Sequence, residues 1–111
     1  MSNYSELIIR KRFAIYIMRH WKMNDHNLEN ISCVYAMLSI DIFSKIIDIV
    51  YFGSITQLLN RYKSHKVPSK IQKSGKINIM YFKPMDKGFY DYEIRLIRKL
   101  KPIYNKQHRN G

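Results

Sequence analysis

The period of the apolar positions changes along the chain, and each change marks an element. Residues 32–40, "SCVYAMLSI", and 45–53, "KIIDIVYFG", are rich in β-branched and aromatic residues and bracket a short "DIFS" connection. They predict an antiparallel hairpin whose first strand puts Cys33, Tyr35 and Met37 on one face. Ser54 can cap a helix over 55–66, where Ile55, Leu58, Leu59 and Tyr62 form one apolar stripe. Residues 67–76 read as a basic loop broken by Pro68 and Gly75, "INIMYF" at 77–82 as a third strand, and "KPMDKG" as a turn. A last helix over 89–100 stops ahead of Pro102, because proline lacks the amide donor and its ring clashes with the preceding turn.

Residues 7–21 are harder, since apolar and basic residues mix around any helical projection without one clean face. A helical arm over 1–30 is expected there, separated by the polar "NDHNLEN" from a domain over 31–111. The expected fold class is α+β, a small three-stranded antiparallel sheet flanked by helices.

Composition agrees with one compact unit. The chain has 111 residues, 46% of them hydrophobic, which suits one modest core. Its formal net charge of +12 exceeds the magnitude of roughly 2 to 8 that solubility of a small domain asks for. A polyanionic partner is expected, nucleic acid first and an anionic membrane surface second. Cys33 is the only cysteine, so neither an internal disulfide nor a cysteine-rich metal site can form, which fits a reducing cytoplasm. The run "FAIYIM" is too short for a membrane span or a signal h-region, so no membrane-crossing segment is expected.

Three places look chemical. On the last helix, Phe89, Tyr92, Leu96, Ile97 and Leu100 share a face, and Glu93 falls within the same arc while Asp91, Arg95, Arg98 and Lys99 lie opposite. A carboxylate on a buried face must pair, protonate or bind a cation, so a site acid and an edge glutamate paired with a base are both open. Arg61 and His65, four apart, share a helix flank. A solvated flank is the common fate of such residues, whereas a functional pair would join an arginine fork for phosphate to an imidazole able to hold or move a proton. Tyr35 and Tyr51 lie on paired strands, where tyrosine usually serves as half-buried packing.

Taken in order, "CVY" at 33–35, "YFG" at 51–53, Ser54 followed by Arg61 and His65, Glu93 on a helix and "KPIYN" ending in Asn105 resemble the GIY-YIG nuclease family. The resemblance covers about two thirds of the chain. Cys33 and Val34 depart from the glycine and isoleucine preferred in the first triplet, and Phe52 from the isoleucine in the second. Tyr35 and Tyr51 are sixteen residues apart, more than the family's usual spacing, which implies a longer hairpin or a bulge around 41–45. A competing first triplet, "AIY" at 14–16, is too far from Tyr51 for a simple hairpin.

The resemblance implies a divalent-metal-dependent endonuclease that hydrolyses DNA phosphodiester bonds. Glu93 would bind a single Mg²⁺ or Mn²⁺, Arg61 would clamp the phosphate, and Tyr35 would orient or deprotonate the attacking water. Tyr51 and His65 would support that network, Gly53 would permit close backbone approach, and Asn105 would tie down the C-terminal segment. Lys63, Lys66, Lys70, Lys73, Lys76, Arg95, Arg98, Lys99 and the tail 106–109 would hold the nucleic-acid backbone without reading sequence. RNA stays open as a substrate, as do a monomer and a homodimer. The alternative is a non-catalytic nucleic-acid- or protein-binding module with the same fold.

Overall fold

The computed structural model describes residues 4–24, 30–58, 61, 63 and 65–107. Among these, the fold is α+β, with four strands in one antiparallel sheet and three helices: α1 (Tyr4–His20), β1 (Lys22–Met23), β2 (Cys33–Asp41), β3 (Ile46–Ile55), α2 (Val67–Lys73), β4 (Ile77–Pro84) and α3 (Phe89–Leu100). The strand order is β1-β4-β2-β3. The expected sheet of three strands therefore gains a fourth. The two-residue β1 pairs with Phe82 and Tyr81 of β4, and two residues carry no readable alternation.

β2 is central, and its residues 33–39 are buried on both faces. Val34, Ala36 and Leu38 join Ile49, Phe52, Ala14, Ile17, Leu96, Ile97 and Leu100 in one cluster, under α1 and α3. Cys33, Tyr35 and Met37 face the other way, with Val50, Leu58, Val67, Ile71 and Met80. Each fully buried side chain of this size contributes about 1.5 to 3 kcal/mol, so two thin clusters, one per face, hold the sheet between them.

The β2–β3 hairpin is longer than usual, with pairing out to Asp41 and Ile46, and its register slips between Met37 and Leu38. Met37 pairs with Tyr51 and Leu38 with Ile49, so Val50 is the extra residue of a β-bulge at that point, not within 41–45. The slip lets Tyr51 share the face of Tyr35 while Ile49 still turns to the helix-covered core.

Two local expectations are overturned. β3 runs on through Ser54 to Ile55, so Ser54 caps no helix; Leu58, Arg61 and Lys63 are helical, with the Arg61 amide donating to the Gln57 carbonyl at 3.1 Å. Leu59 and Tyr62 of the expected stripe lie outside the described residues. The expected loop over 67–76 folds instead as α2, with Pro68 in its first turn, where the missing donor costs nothing, and Val67 and Ile71 buried on one face. α3 occupies the expected span and ends with Lys101 in a left-handed cap, its amide donating to the Ile97 carbonyl at 2.8 Å.

α1 has a hidden face. Arg10, Ala14 and Ile17 are its buried residues, at helical spacing. Arg10, 3% exposed, donates from Nε to Asp48 at 2.6 Å and from Nη1 to the Leu100 carbonyl at 3.2 Å. It thus neutralises a carboxylate of β3 and serves the open C-terminal end of α3.

Candidate active site

Four of the residues singled out by the motif converge on one face of the sheet. Tyr35 on β2 pairs with Gly53 on β3. A Cβ at position 53 would stand 2.7 Å from Tyr35 Cε1 and closer still to its Cζ and hydroxyl, so the ring lies directly over the glycine. The ring centroids of Tyr35 and Tyr51 are 6.1 Å apart in stacked orientation, and His65 meets both edge-on, at 5.6 Å and 4.7 Å. Arg61 is hydrogen-bonded to both phenols.

The proton positions follow from the partners. His65 Nδ1 accepts the Val67 amide at 3.2 Å, and Nε2 lies 2.9 Å from the Tyr35 hydroxyl. Burial, together with the positive charges of Arg61 and Lys70, pushes the imidazole down to about 4, so it is neutral at physiological pH. A neutral ring that accepts at Nδ1 must carry its proton on Nε2 and donate it to Tyr35.

Tyr35 itself is 2% exposed. Burial and the neighbouring Tyr51 raise its phenol well above the ordinary value, against the lowering pull of Arg61. A phenolate is disfavoured there, and the hydroxyl acts as a neutral hydrogen-bonding group. A phenol that deprotonates water would need positive charge to lower it, and here burial outweighs Arg61.

Glu93 reaches the site from the far side. Ser54 follows Phe52 by two residues and so shares its helix-covered face. There the Ser54 hydroxyl donates to Glu93 Oε1 on α3. Tyr51 and Glu93 nevertheless line one cleft of about 300 Å³ beside β3, together with Ile97, Asn105, Lys106 and Gln107. Tyr51 is the member of the tyrosine cluster that lines this cleft, and Glu93 comes to it from the helix on the other face of the sheet. Of the described residues lining it, Glu93 alone is acidic, and no group of three or more His, Cys, Asp or Glu forms a metal cage among the described residues.

The C-terminal segment covers the outer edge of β3. Tyr104 donates its amide to the Val50 carbonyl at 2.9 Å. The buried Asn105 side chain pairs with both backbone groups of Phe52, accepting from its amide and donating to its carbonyl, each at 2.8 Å. The outer edge of β3 is thus occupied, and Tyr51, between the two clamped residues, is held in place.

Basic residues divide between the faces. α2 buries Val67 and Ile71 against the tyrosine side and turns Lys66, Lys70 and Lys73 outward, with Lys63 and Lys76 also exposed. Lys70 Nζ stands 5.5 Å from the Tyr104 ring centroid. Arg95, Arg98 and Lys99 are exposed on α3, which covers the opposite face. The structure brings the first group, not the second, to the side of the tyrosines.

The sequence reading missed the Arg10–Asp48 pair and the hydrogen bond from Ser54 to Glu93. Neither has a local signal, since the partners are 38 and 39 residues apart. Comparison with protein-family models, characterised proteins and solved structures finds no match.

Proposed function

We propose that this chain is a divalent-metal-dependent endonuclease of the GIY-YIG type, acting on DNA. The observation that carries the reading is the convergence of Tyr35, Tyr51, Arg61 and His65 into one hydrogen-bonded group beside a cleft that also holds Glu93.

Phosphodiester hydrolysis needs a positioned water, neutralisation of charge on the phosphate oxygens, and support for the leaving oxygen. Tyr51 faces the cleft, so its hydroxyl orients the water, while the buried Tyr35 acts behind it as a positioning residue. Arg61 clamps the scissile phosphate. His65, neutral and donating to Tyr35, fixes the direction of that phenol. Glu93 would hold Mg²⁺ or Mn²⁺ with water and phosphate oxygens completing the shell, and the cation would supply charge neutralisation at phosphorus. A single carboxylate suits such an oxygen-preferring, largely hydrated ion, and the Ser54 hydroxyl orients that carboxylate. Lys63, Lys66, Lys70, Lys73 and Lys106 hold the DNA backbone on the same side.

The test is nicking of supercoiled plasmid at low salt in EDTA, Mg²⁺ or Mn²⁺, with wild type, Glu93→Ala, Tyr51→Phe and Tyr35→Phe. Metal-dependent cutting lost in Glu93→Ala is expected, and cutting unchanged in that variant would sink the reading. A second reading, a non-catalytic nucleic-acid-binding module of the same fold, is favoured by one observation: Glu93 is engaged by Ser54 on the face opposite Tyr35. Tight DNA binding without metal-dependent cleavage of duplex, branched DNA or RNA would select it.

A further inference from the structure

The far end of the β2–β3 hairpin presents apolar side chains to solvent. Phe43 is 96% exposed and Ile42 59%, and Ile46 and Ile77, on the adjoining strand ends, are also exposed. Isolated exposed apolar residues are ordinary, but four gathered at one end of a sheet in so basic a chain are not.

The turn that displays them is rigid. Asp41 Oδ1 accepts the amides of Phe43 and Ser44 at 3.0 and 3.3 Å, the Asp41 carbonyl accepts the Lys45 amide at 2.8 Å, and Lys45 takes a left-handed conformation at φ 59°. Those turn amides, with Lys76 nearby, also hold the Asp41 carboxyl below its ordinary range, so it stays ionised and keeps accepting them. The backbone that carries Phe43 is therefore held by the turn, so a ligand that covers the ring has its rotamer to order but not the loop.

We infer that Phe43 is a wedge that stacks on an unpaired or unstacked nucleobase, with Lys45 and Lys76 on the flanking phosphates. Charge complementarity selects this occupant. A second copy of a +12 chain would be repelled, and four side chains fall far short of the area a stable dimer needs. Nucleic acid supplies both halves of the match, anionic backbone and flat aromatic faces, and apolar wedges are a known way to open a base step. Asp41 is six residue steps along β2 from Tyr35, about 20 Å of strand. That equals about six base pairs of duplex, so the disturbed step lies within about that distance of the bond at the tyrosine site. The preferred substrate is DNA that already contains a weak step, such as a mismatch, bulge or branch.

The inference rests on the nucleic-acid part of the proposed function, not on cleavage, so it is tested in EDTA. Duplexes and single-mismatch duplexes carrying 2-aminopurine at successive positions are titrated with wild type, Phe43→Ala and Phe43→Trp, with fluorescence anisotropy reporting binding. The expected result is a rise in 2-aminopurine emission near the mismatch with wild type and Phe43→Trp. Phe43→Ala should lose that rise while its duplex affinity falls by less than about threefold. The emission of Phe43→Trp above the Trp21 background should be quenched by DNA. A rise that survives in Phe43→Ala, or DNA binding with no rise at any position, overturns the wedge alone. A tip tryptophan that shifts to the blue with anionic vesicles and ignores DNA overturns it in favour of a membrane contact. Failure of wild type to bind DNA overturns this inference and the proposed function together.

Discussion

The ring of Tyr35 lies over the α-carbon of Gly53 on the neighbouring strand, in the space a side chain would need. In an ordinary strand, replacing glycine by alanine stabilises by about 0.4 to 1 kcal/mol through the unfolded state. Here the added methyl must push the Tyr35 ring off its partners, an overpacking that costs about 1 to 3 kcal/mol. Gly53→Ala should therefore lower the urea midpoint and also disturb Tyr35–His65 contact, visible in the His65 ring resonances. A neutral or stabilised variant would contradict the placement of the ring.

His65 gives a pH dependence with a definite sign. Its folded pKa, about 4, lies below the ordinary 6.5, so between those values the unfolded chain binds more protons. The stability it contributes is complete above pH 6.5 and is lost as pH falls towards 4. His65→Gln, which keeps a neutral donor for Tyr35, should flatten that part of the urea-midpoint profile by an amount on the order of 1 kcal/mol after allowance for partial exposure. Equal slopes in the two proteins would show that His65 titrates normally.

The hairpin, the third long strand and α3 were legible because period-2 alternation, a short turn and Pro102 each left a local mark. α1 was expected as a helix, but its buried face was not legible, and the reason is Arg10: a charged residue in the middle of that face destroys the amphipathic pattern, though the site is satisfied by Asp48 and Leu100. α2 was mistaken for a loop because Pro68 marks a helix start as readily as a break. Of the site, the identity and order of Tyr35, Tyr51, Arg61 and His65 could be read, but not the burial of Tyr35, which depends on α2 and His65 closing over it. Nor could the far-side approach of Glu93 be read, since it depends on which face of an edge strand a helix covers.

Removing Asp48 should cost more than removing the pair. Among the described residues, Asp48→Ala leaves the nearly buried guanidinium with the Leu100 carbonyl, and a loss of about 2 to 3 kcal/mol is expected, at or below the range for breaking a buried pair because Asp48 is partly exposed. Arg10→Met combined with Asp48→Ala removes the stranded charge and should recover part of that loss. Urea denaturation of the two single variants and the double measures the coupling, and strict additivity would deny it.

The Asn105 clamp predicts a local readout. Asn105→Ala removes both side-chain bonds to Phe52 and leaves buried backbone groups without them, a loss of about 1 to 3 kcal/mol. Amide exchange at Phe52 should accelerate more than exchange at Ala36, its partner on central β2, because only the outer edge of β3 is opened. Uniform acceleration across both strands would mean that Asn105 stabilises the fold as a whole and does not specifically hold this edge.

Ser54 separates a metal-binding role for Glu93 from a structural one. Its hydroxyl donates to one carboxylate oxygen, so it can orient Glu93 without touching DNA. Partners of this kind typically change metal affinity by about 10 to 100-fold when removed. Ser54→Ala should therefore shift the Mn²⁺ concentration for half-maximal nicking upward by about tenfold, leave the rate at saturating metal within a few-fold, and leave DNA binding in EDTA unchanged. If Glu93 only packs, the same variant should lose a little stability and show no metal shift. Glu93→Gln completes the comparison, since glutamine can still accept the Ser54 hydrogen bond but lacks the charge: retained stability with lost cutting assigns the carboxylate to the cation, and retained cutting assigns it to the fold.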